Sequence, residues 1–185
     1  GVLQQRLSDW SDAQGVLVPE QGGFSPQRGC PEQVFAVTEL ISQRRLAGAS
    51  TYACFIDIRK AYDTVWHSGL KARLIGYGVH GPMYRAVCSL DEGGESTLRF
   101  VTHIGYSVTD FFPLENGVRQ GCVLSPILYA LFINGLAEEL KRQHGSGVCL
   151  LLPDGRRVSL EALLYADDIV LLSESEAELQ ALMRK

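Results

Sequence analysis

The chain has 185 residues, 46% of them hydrophobic and 21% charged, with a formal net charge of −4. Such a length and apolar share supply the core of one domain, or of one domain with a lobe, and exclude a disordered segment. The acidic balance counts against a surface that grips nucleic acid by charge alone. No apolar run is long enough to span a membrane, and the opening residues do not read as a secretory leader.

The chain starts at Gly1 and stops inside a helical pattern with no stop signal, so both ends are expected to be cuts in a longer protein. Its five cysteines (Cys30, Cys54, Cys88, Cys122 and Cys149) form no CxxC pair and have no histidine at ligand spacing. Dispersed thiols inside apolar runs are expected to be reduced and mostly buried, in an intracellular protein of the cytoplasm or nucleus.

In chain order, residues 15–29 (GVLVPEQGGFSPQRG) are rich in Gly and Pro and predict a loop. Pro31 suits a first helical turn, and Val34, Phe35, Leu40 and Ile41 recur at helical spacing up to Gly48. Residues 51–57 (TYACFID) predict a buried strand ending on Asp57. Leu70, Leu74 and Ile75 predict a helix closed by Gly76 or Gly78, and residues 82–90 predict another.

Residues 97–112 predict a strand, a turn at Gly105 and a second strand. Residues 116–121 predict a loop. After it, Ser125 as N-cap and Pro126 in the first turn open a long helix to about His144, ended by Gly145 and Gly147. Pro153-Asp154-Gly155, between residues 148–152 and 157–160, predicts a hairpin. A second hairpin pairs residues 163–165 with 169–172 around Ala166-Asp167-Asp168, and Ser175 with Glu178 predicts a capping box for a last helix. Strands clustered around long helices make the class α+β.

Two segments place carboxylates at the ends of apolar strands: Asp57 closes one, and Asp167-Asp168 tips a hairpin. Isolated charge beside apolar runs is costly, and three acids brought together would rise in pKa unless a divalent cation neutralised them. Magnesium suits that demand, as a hard ion that takes carboxylate oxygens and leaves positions open for phosphate. An ordinary reading stands beside this one, because aspartate also supports tight turns through its side-chain oxygen. His67, His80, His103 and His144 show no ligand spacing. Arg59, Lys60 and Arg119 adjoin the acidic and loop segments as solvated charges or phosphate contacts, and Arg44-Arg45 and Arg156-Arg157 are expected on exposed faces or hairpin tips.

The words around the acids narrow the choice. FIDIRKAYD (residues 55–63) resembles motif A of reverse transcriptases, a metal aspartate followed five positions later by an aromatic residue. NGVRQGCVLSP (116–126) resembles motif B, with a QGxxxSP pattern opening a helix, and LYADD (164–168) resembles motif C. QGGFSPQRG (21–29) is similar to the upstream fingers motif of the LINE type, with Ser25 where many relatives carry arginine. Four such words in the family's order outweigh any one of them. The chain therefore resembles the reverse transcriptase of non-LTR (LINE-type) retrotransposons.

The resemblance implies a polymerase palm, an antiparallel sheet backed by helices, with part of the fingers and without the thumb. Fingers elements would take residues 1–50 and 78–116, and palm elements 51–77 and 117–185. It implies an RNA-directed DNA polymerase that uses an RNA template, a DNA primer and dNTPs, with two Mg²⁺ ions that Mn²⁺ can replace, and with no membrane partner. Asp57, Asp167 and Asp168 would be catalytic and would hold the metals with the Ile58 carbonyl. Tyr62 would lie under the incoming sugar and exclude a 2′-hydroxyl, while Gln120 and the Gly121 backbone would contact nucleotide and template. With basic fingers strands and the thumb elsewhere, the chain alone is expected to synthesise poorly. Two alternatives remain: another palm-type nucleotidyltransferase such as a cyclase, against which the QGxxxSP word counts, and a catalytically inactive remnant serving as a binding or scaffold piece.

Overall fold

Alternation and helical periodicity resolve into six helices and nine strands among residues 1–24, 28–91, 94–97, 99–142, 147–152 and 155–184, which the computed structural model describes. Helix α1 (Val2–Gln14) has no counterpart among the expected elements; it buries Leu7 and Ser11 and ends on Gly15, whose φ of 59° suits a residue without Cβ. Helix α2 (Cys30–Leu46) opens with Pro31 in its first turn and the Glu32 carboxylate accepting the Gly29 N–H.

Strand β1 (Tyr52–Asp57) follows, then α3 (His67–Tyr77), closed by Gly78 at φ 97°, and α4 (Gly81–Asp91). Short strands β2 (Glu95–Ser96) and β5 (Phe112–Pro113) pair with each other, and β3 (Arg99–Thr102) and β4 (Gly105–Val108) form the hairpin expected around Gly105. Helix α5 (Ser125–Lys141) is buried on nearly every side, as its apolar run requires. The last elements are the hairpin β6 (Val148–Leu151) and β7 (Arg157–Leu160), then β8 (Ala162–Tyr165), β9 (Asp168–Ser173) and α6 (Glu176–Met183). His144, Gly145, Pro153 and Asp154, which carried expectations for a helix end and a turn, lie outside the described residues.

The centre is an antiparallel sheet in the order β1-β9-β8. Side chains alternate between its two faces. Ala162, Leu164, Ile169 and Leu171 enter the larger core, where Leu70 and Leu74 of α3 and Leu128, Tyr129 and Leu131 of α5 join them. Leu163, Val170 and Leu172 face a smaller cluster with Leu40 of α2 and Val148 of β6. Each fully buried leucine contributes roughly 1.5–3 kcal/mol. Both faces being covered explains the near-continuous apolar runs of β8 and β9, and the assembly is the expected α+β class.

The structure departs from the sequence-based expectations at several points. Strand β1 is an edge strand rather than a buried one, and Phe55 at its centre is 76% exposed; an apolar run alone does not reveal which edges are covered. Among the cysteines, Cys88 is buried and Cys54 half-buried, whereas Cys30, Cys122 and Cys149 are exposed, all as free thiols. Arg44 is not a solvated charge, for it donates to Glu174 at 2.7 Å, to the Thr51 hydroxyl and to the Ser50 carbonyl. Glu174 also accepts the Cys149 N–H, and this bond, ahead of Arg44, holds its carboxyl below the usual range against the opposing effect of burial. The pair ties α2 and β6 to the end of the central sheet.

Candidate active site

The β8–β9 turn carries the acidic pair, and its register decides where the pair lies. Asp57 stands directly opposite Asp168, and Tyr165 is opposite Asp168 on the other side. Residues in such register share a sheet face, so Asp57 and Asp168 come together although they lie 111 positions apart in sequence. Asp167 sits in the turn itself, next to Ala166, whose φ is 58°. The side chains of Asp57 and Asp168 are exposed, while their backbones pair in the sheet. Among the described residues no three His, Cys, Asp or Glu side chains already stand at common coordinating distance. The donor chemistry, hard carboxylates beside the Ile58 carbonyl, nonetheless fits a divalent cation, with the Asp57 and Asp168 side chains free to turn toward it.

One end of a cleft of about 530 Å³ is lined by Asp57, Asp168 and Tyr165, while Val34, Val37 and Ile41 of α2 and Phe55 and Val170 of the sheet make its apolar walls. On the α5 side of the acids lies a pair of tyrosines. The rings of Tyr62 and Tyr129 stack with centroids 5.3 Å apart and an interplanar angle of 26°. Burial raises the pKa of Tyr62, and the negative charge of Asp167 raises it further. Tyr129 is pushed up to about 12, by burial first, then by Asp167 and Tyr62. Both rings are therefore neutral at physiological pH, and the acidic turn lies within electrostatic reach of both.

The segment from 116 onward is zipped to the Tyr62 turn by backbone bonds. Trp66 and Asn116 form an antiparallel bridge, the Gly117 N–H donates to the Val65 carbonyl and the Val118 N–H to the Tyr62 carbonyl, each at 2.8 Å. The Gly117 carbonyl bonds His67 Nε2 at 2.7 Å. Gly117 has φ 93°, which favours glycine, and a Cβ there would crowd the Asp63 backbone at 3.1 Å. Gly121, at φ 86°, turns the chain toward α5, and Gln120 beside it is exposed with no hydrogen bond among the described residues. Ser125 is not the N-cap; Leu124 holds that place, and the Ser125 hydroxyl donates at 2.6 Å to the Arg119 carbonyl, fastening the loop onto the helix.

Asp57, Ile58, Tyr62, Asp167 and Asp168 are thus gathered at one end of the sheet, while Gln120 and Gly121 lie on the loop attached to it. Two contributors escaped the sequence reading. Tyr129 was hidden in the uniformly apolar run of α5, where nothing marks one face as nearer the acids. Gln21 opened the QGGFSPQRG word but carried no role of its own, yet its backbone bridges Leu164 of β8 and its side chain is fully buried. Ser25 and its neighbours 26 and 27 lie outside the described residues.

An antiparallel sheet with acids at one end, backed by a long buried helix, is a palm-like α+β fold. The chain belongs to the reverse transcriptase (RNA-dependent DNA polymerase) family, whose model matches residues 2–185. It is 32% identical over 167 residues to the retrovirus-related Pol polyprotein from the type-2 retrotransposable element R2DM of Drosophila melanogaster, covering 90% of this chain and 15% of that protein. It is also 32% identical over 176 residues to the RNA-directed DNA polymerase from mobile element jockey of Drosophila funebris, covering 87% of this chain and 16% of that one. The chain thus resembles polymerases of non-LTR retrotransposable elements and spans about a sixth of their length. Among solved structures, telomerase from Candida tropicalis in complex with a fragment of telomeric RNA has the same fold, with a TM-score of 0.60 at 14% identity, over 99% of this chain and 29% of that one.

Proposed function

We propose that the chain is the catalytic core of an RNA-directed DNA polymerase, joining a dNTP to the 3′-hydroxyl of a DNA primer on an RNA template. The observation that carries this reading is the register of Asp57 against Asp168 beside the Asp167 turn. Asp57, Asp167, Asp168 and the Ile58 carbonyl would hold two Mg²⁺ ions, or Mn²⁺. Such ions supply activation of an attacking hydroxyl and charge neutralisation on the leaving oxygen.

The chain's own residues do the positioning. The stacked Tyr62 and Tyr129 rings form a rigid, uncharged wall next to Asp167, against which a deoxyribose packs and a 2′-hydroxyl clashes with Tyr62. The Gly117–Val118 backbone bonds keep that wall fixed relative to the loop bearing Gln120 and Gly121, which face the base and template. Palm residues are assigned to 51–77 and 117–185 and fingers residues to 1–50 and 78–116. The net charge of −4 gives little phosphate neutralisation, so synthesis by this chain alone is weak and sensitive to salt. Its free thiols suit an intracellular protein, and among the described residues no helix is long and apolar enough to cross a membrane.

Primer extension on an RNA template, at low salt with Mg²⁺ or Mn²⁺, tests the proposal. Short extension products that disappear in Asp167→Ala are expected. Extension that persists unchanged in that variant, or none by the parent chain at any protein concentration, would overturn it.

A further inference from the structure

The turn that carries Asp167 and Asp168 is held from outside the sheet. Strand β8 is an edge strand, and the chain around Gln21 covers its free edge: the Gly22 N–H donates to the Leu164 carbonyl at 2.8 Å, and the Leu164 N–H to the Glu20 carbonyl at 2.9 Å. Lys141 of α5 anchors this segment through an ion pair with Glu20 at 2.9 Å. The Gln21 side chain is fully buried, and its Oε1 accepts two backbone N–H groups, from Gly23 at 2.8 Å and from Ala166 at 3.3 Å.

Ala166 is the residue immediately before Asp167, and its φ of 58° is one that L side chains rarely adopt. A conformation of that kind persists only when its surroundings hold it. Gly23 closes over the same peptide, since a Cβ there would stand 2.3 Å from the Ala166 nitrogen. Gln21 itself brings no apolar side chain to the core, and it leaves its own Nε2 without a partner among the described residues. A buried amide with an unmet donor is a costly way merely to fill space.

We propose that Gln21 is a positioning residue: its carboxamide oxygen grips the Ala166 N–H and thereby fixes the direction in which Asp167 and Asp168 are presented. The inference rests on the polymerase reading for what those acids hold, but the grip itself does not. Gln21 touches no reacting atom; it acts through the Ala166 peptide, while the shorter bond from the Gly23 N–H holds its carboxamide in place. Loss of the grip frees the turn to sample other conformations, so fewer molecules present the carboxylates in the productive arrangement.

The test uses Gln21→Met, which keeps length and approximate volume but removes the acceptor. Amide hydrogen exchange reads the grip directly. Exchange at Ala166 should accelerate at least about 10-fold in the variant, while Leu164, held by the Glu20 carbonyl, stays protected. Mn²⁺ binding, followed by the electron paramagnetic resonance of the free ion, reads the consequence, and its midpoint should rise several-fold. Leu74→Ala, a core variant on α3 outside the turn, controls for lost stability and should leave that midpoint unmoved. Unchanged Ala166 exchange in Gln21→Met would overturn the inference. So would an unchanged Mn²⁺ midpoint in a parent chain whose binding depends on Asp57 and Asp167. If the parent chain binds Mn²⁺ no better than its Asp57→Ala and Asp167→Ala variants, the polymerase reading falls instead, and the exchange data alone then decide the grip.

Discussion

Replacing Tyr129 with phenylalanine separates the electrostatics of the site from its packing. The residue is 2% exposed, and its hydroxyl has no hydrogen-bond partner among the described residues. Its pKa rises from 10.0 to about 12, through burial first and then the charge of Asp167 and the neighbouring Tyr62. A folded-state value above the unfolded one means that folding favours the protonated, neutral phenol. That contribution is whole below pH 10 and is lost as the pH climbs through about 12. At about 1.36 kcal/mol per unit, the shift corresponds to roughly 2–3 kcal/mol.

The parent chain should therefore lose stability steeply between pH 10 and 12, and Tyr129→Phe should lose about 2–3 kcal/mol less over that interval. At pH 7 the variant discards an unpartnered hydroxyl and keeps the ring stack. Its stability should equal or exceed that of the parent by up to about 1 kcal/mol. Urea unfolding followed by circular dichroism, at neutral pH and at steps through the alkaline range, measures both quantities. Parallel stability curves for the two proteins above pH 10 would refute the reasoning. A loss of more than about 1 kcal/mol at pH 7 would do the same, since it would mean that the hydroxyl is bonded.

Other consequences follow from the same geometry. Gly117→Ala places a Cβ 3.1 Å from the Asp63 backbone at a φ of 93°; it should cost about 1–3 kcal/mol in chemical unfolding and reduce nucleotide incorporation by displacing Tyr62. Tyr62→Val opens the space under the sugar, so the ratio of ribonucleotide to deoxyribonucleotide incorporation should rise at least about 10-fold, a change of about 1.4 kcal/mol in discrimination. Because the Cys149 N–H and Arg44 hold the Glu174 carboxyl below its ordinary value, its contribution to stability is present above that value and fades on acidification. Glu174→Gln should therefore show a shallower loss of stability in acid than the parent chain.

Much of the site could be read from residue order because its chemistry sits on strongly patterned elements. The alternation around Ala166-Asp167-Asp168 made the β8–β9 hairpin legible, and Ser125-Pro126 marked the start of α5 although Ser125 bonds the preceding loop instead of capping the helix. Proximity across the sheet was less accessible. The register of Asp57 with Asp168 depends on a pairing between segments far apart in the chain, which spacing alone does not specify. Exposure misled for a related reason: β1 has the composition of a buried strand but lies at an edge. The QGGFSPQRG word marked Gln21 but not its contact, because an amide reaching a distant turn has no period and changes no composition. Helix α1 carried an apolar face in Leu3, Leu7 and Trp10, but Gln, Ser and Asp among them weakened the pattern.

The central claim is that Asp57 and Asp167 act as one metal-dependent site for DNA synthesis on RNA. Single-nucleotide addition to a primer on an RNA template, measured for Asp57→Asn, Asp167→Asn and Asp63→Asn, tests it most directly. Asp63 is exposed and lies within the same motif but outside β1. Losses of at least about 100-fold are expected for the first two variants, and a rate within a few-fold of the parent for Asp63→Asn. Near-parental addition by either Asp57→Asn or Asp167→Asn, or an equal loss in all three, would contradict it.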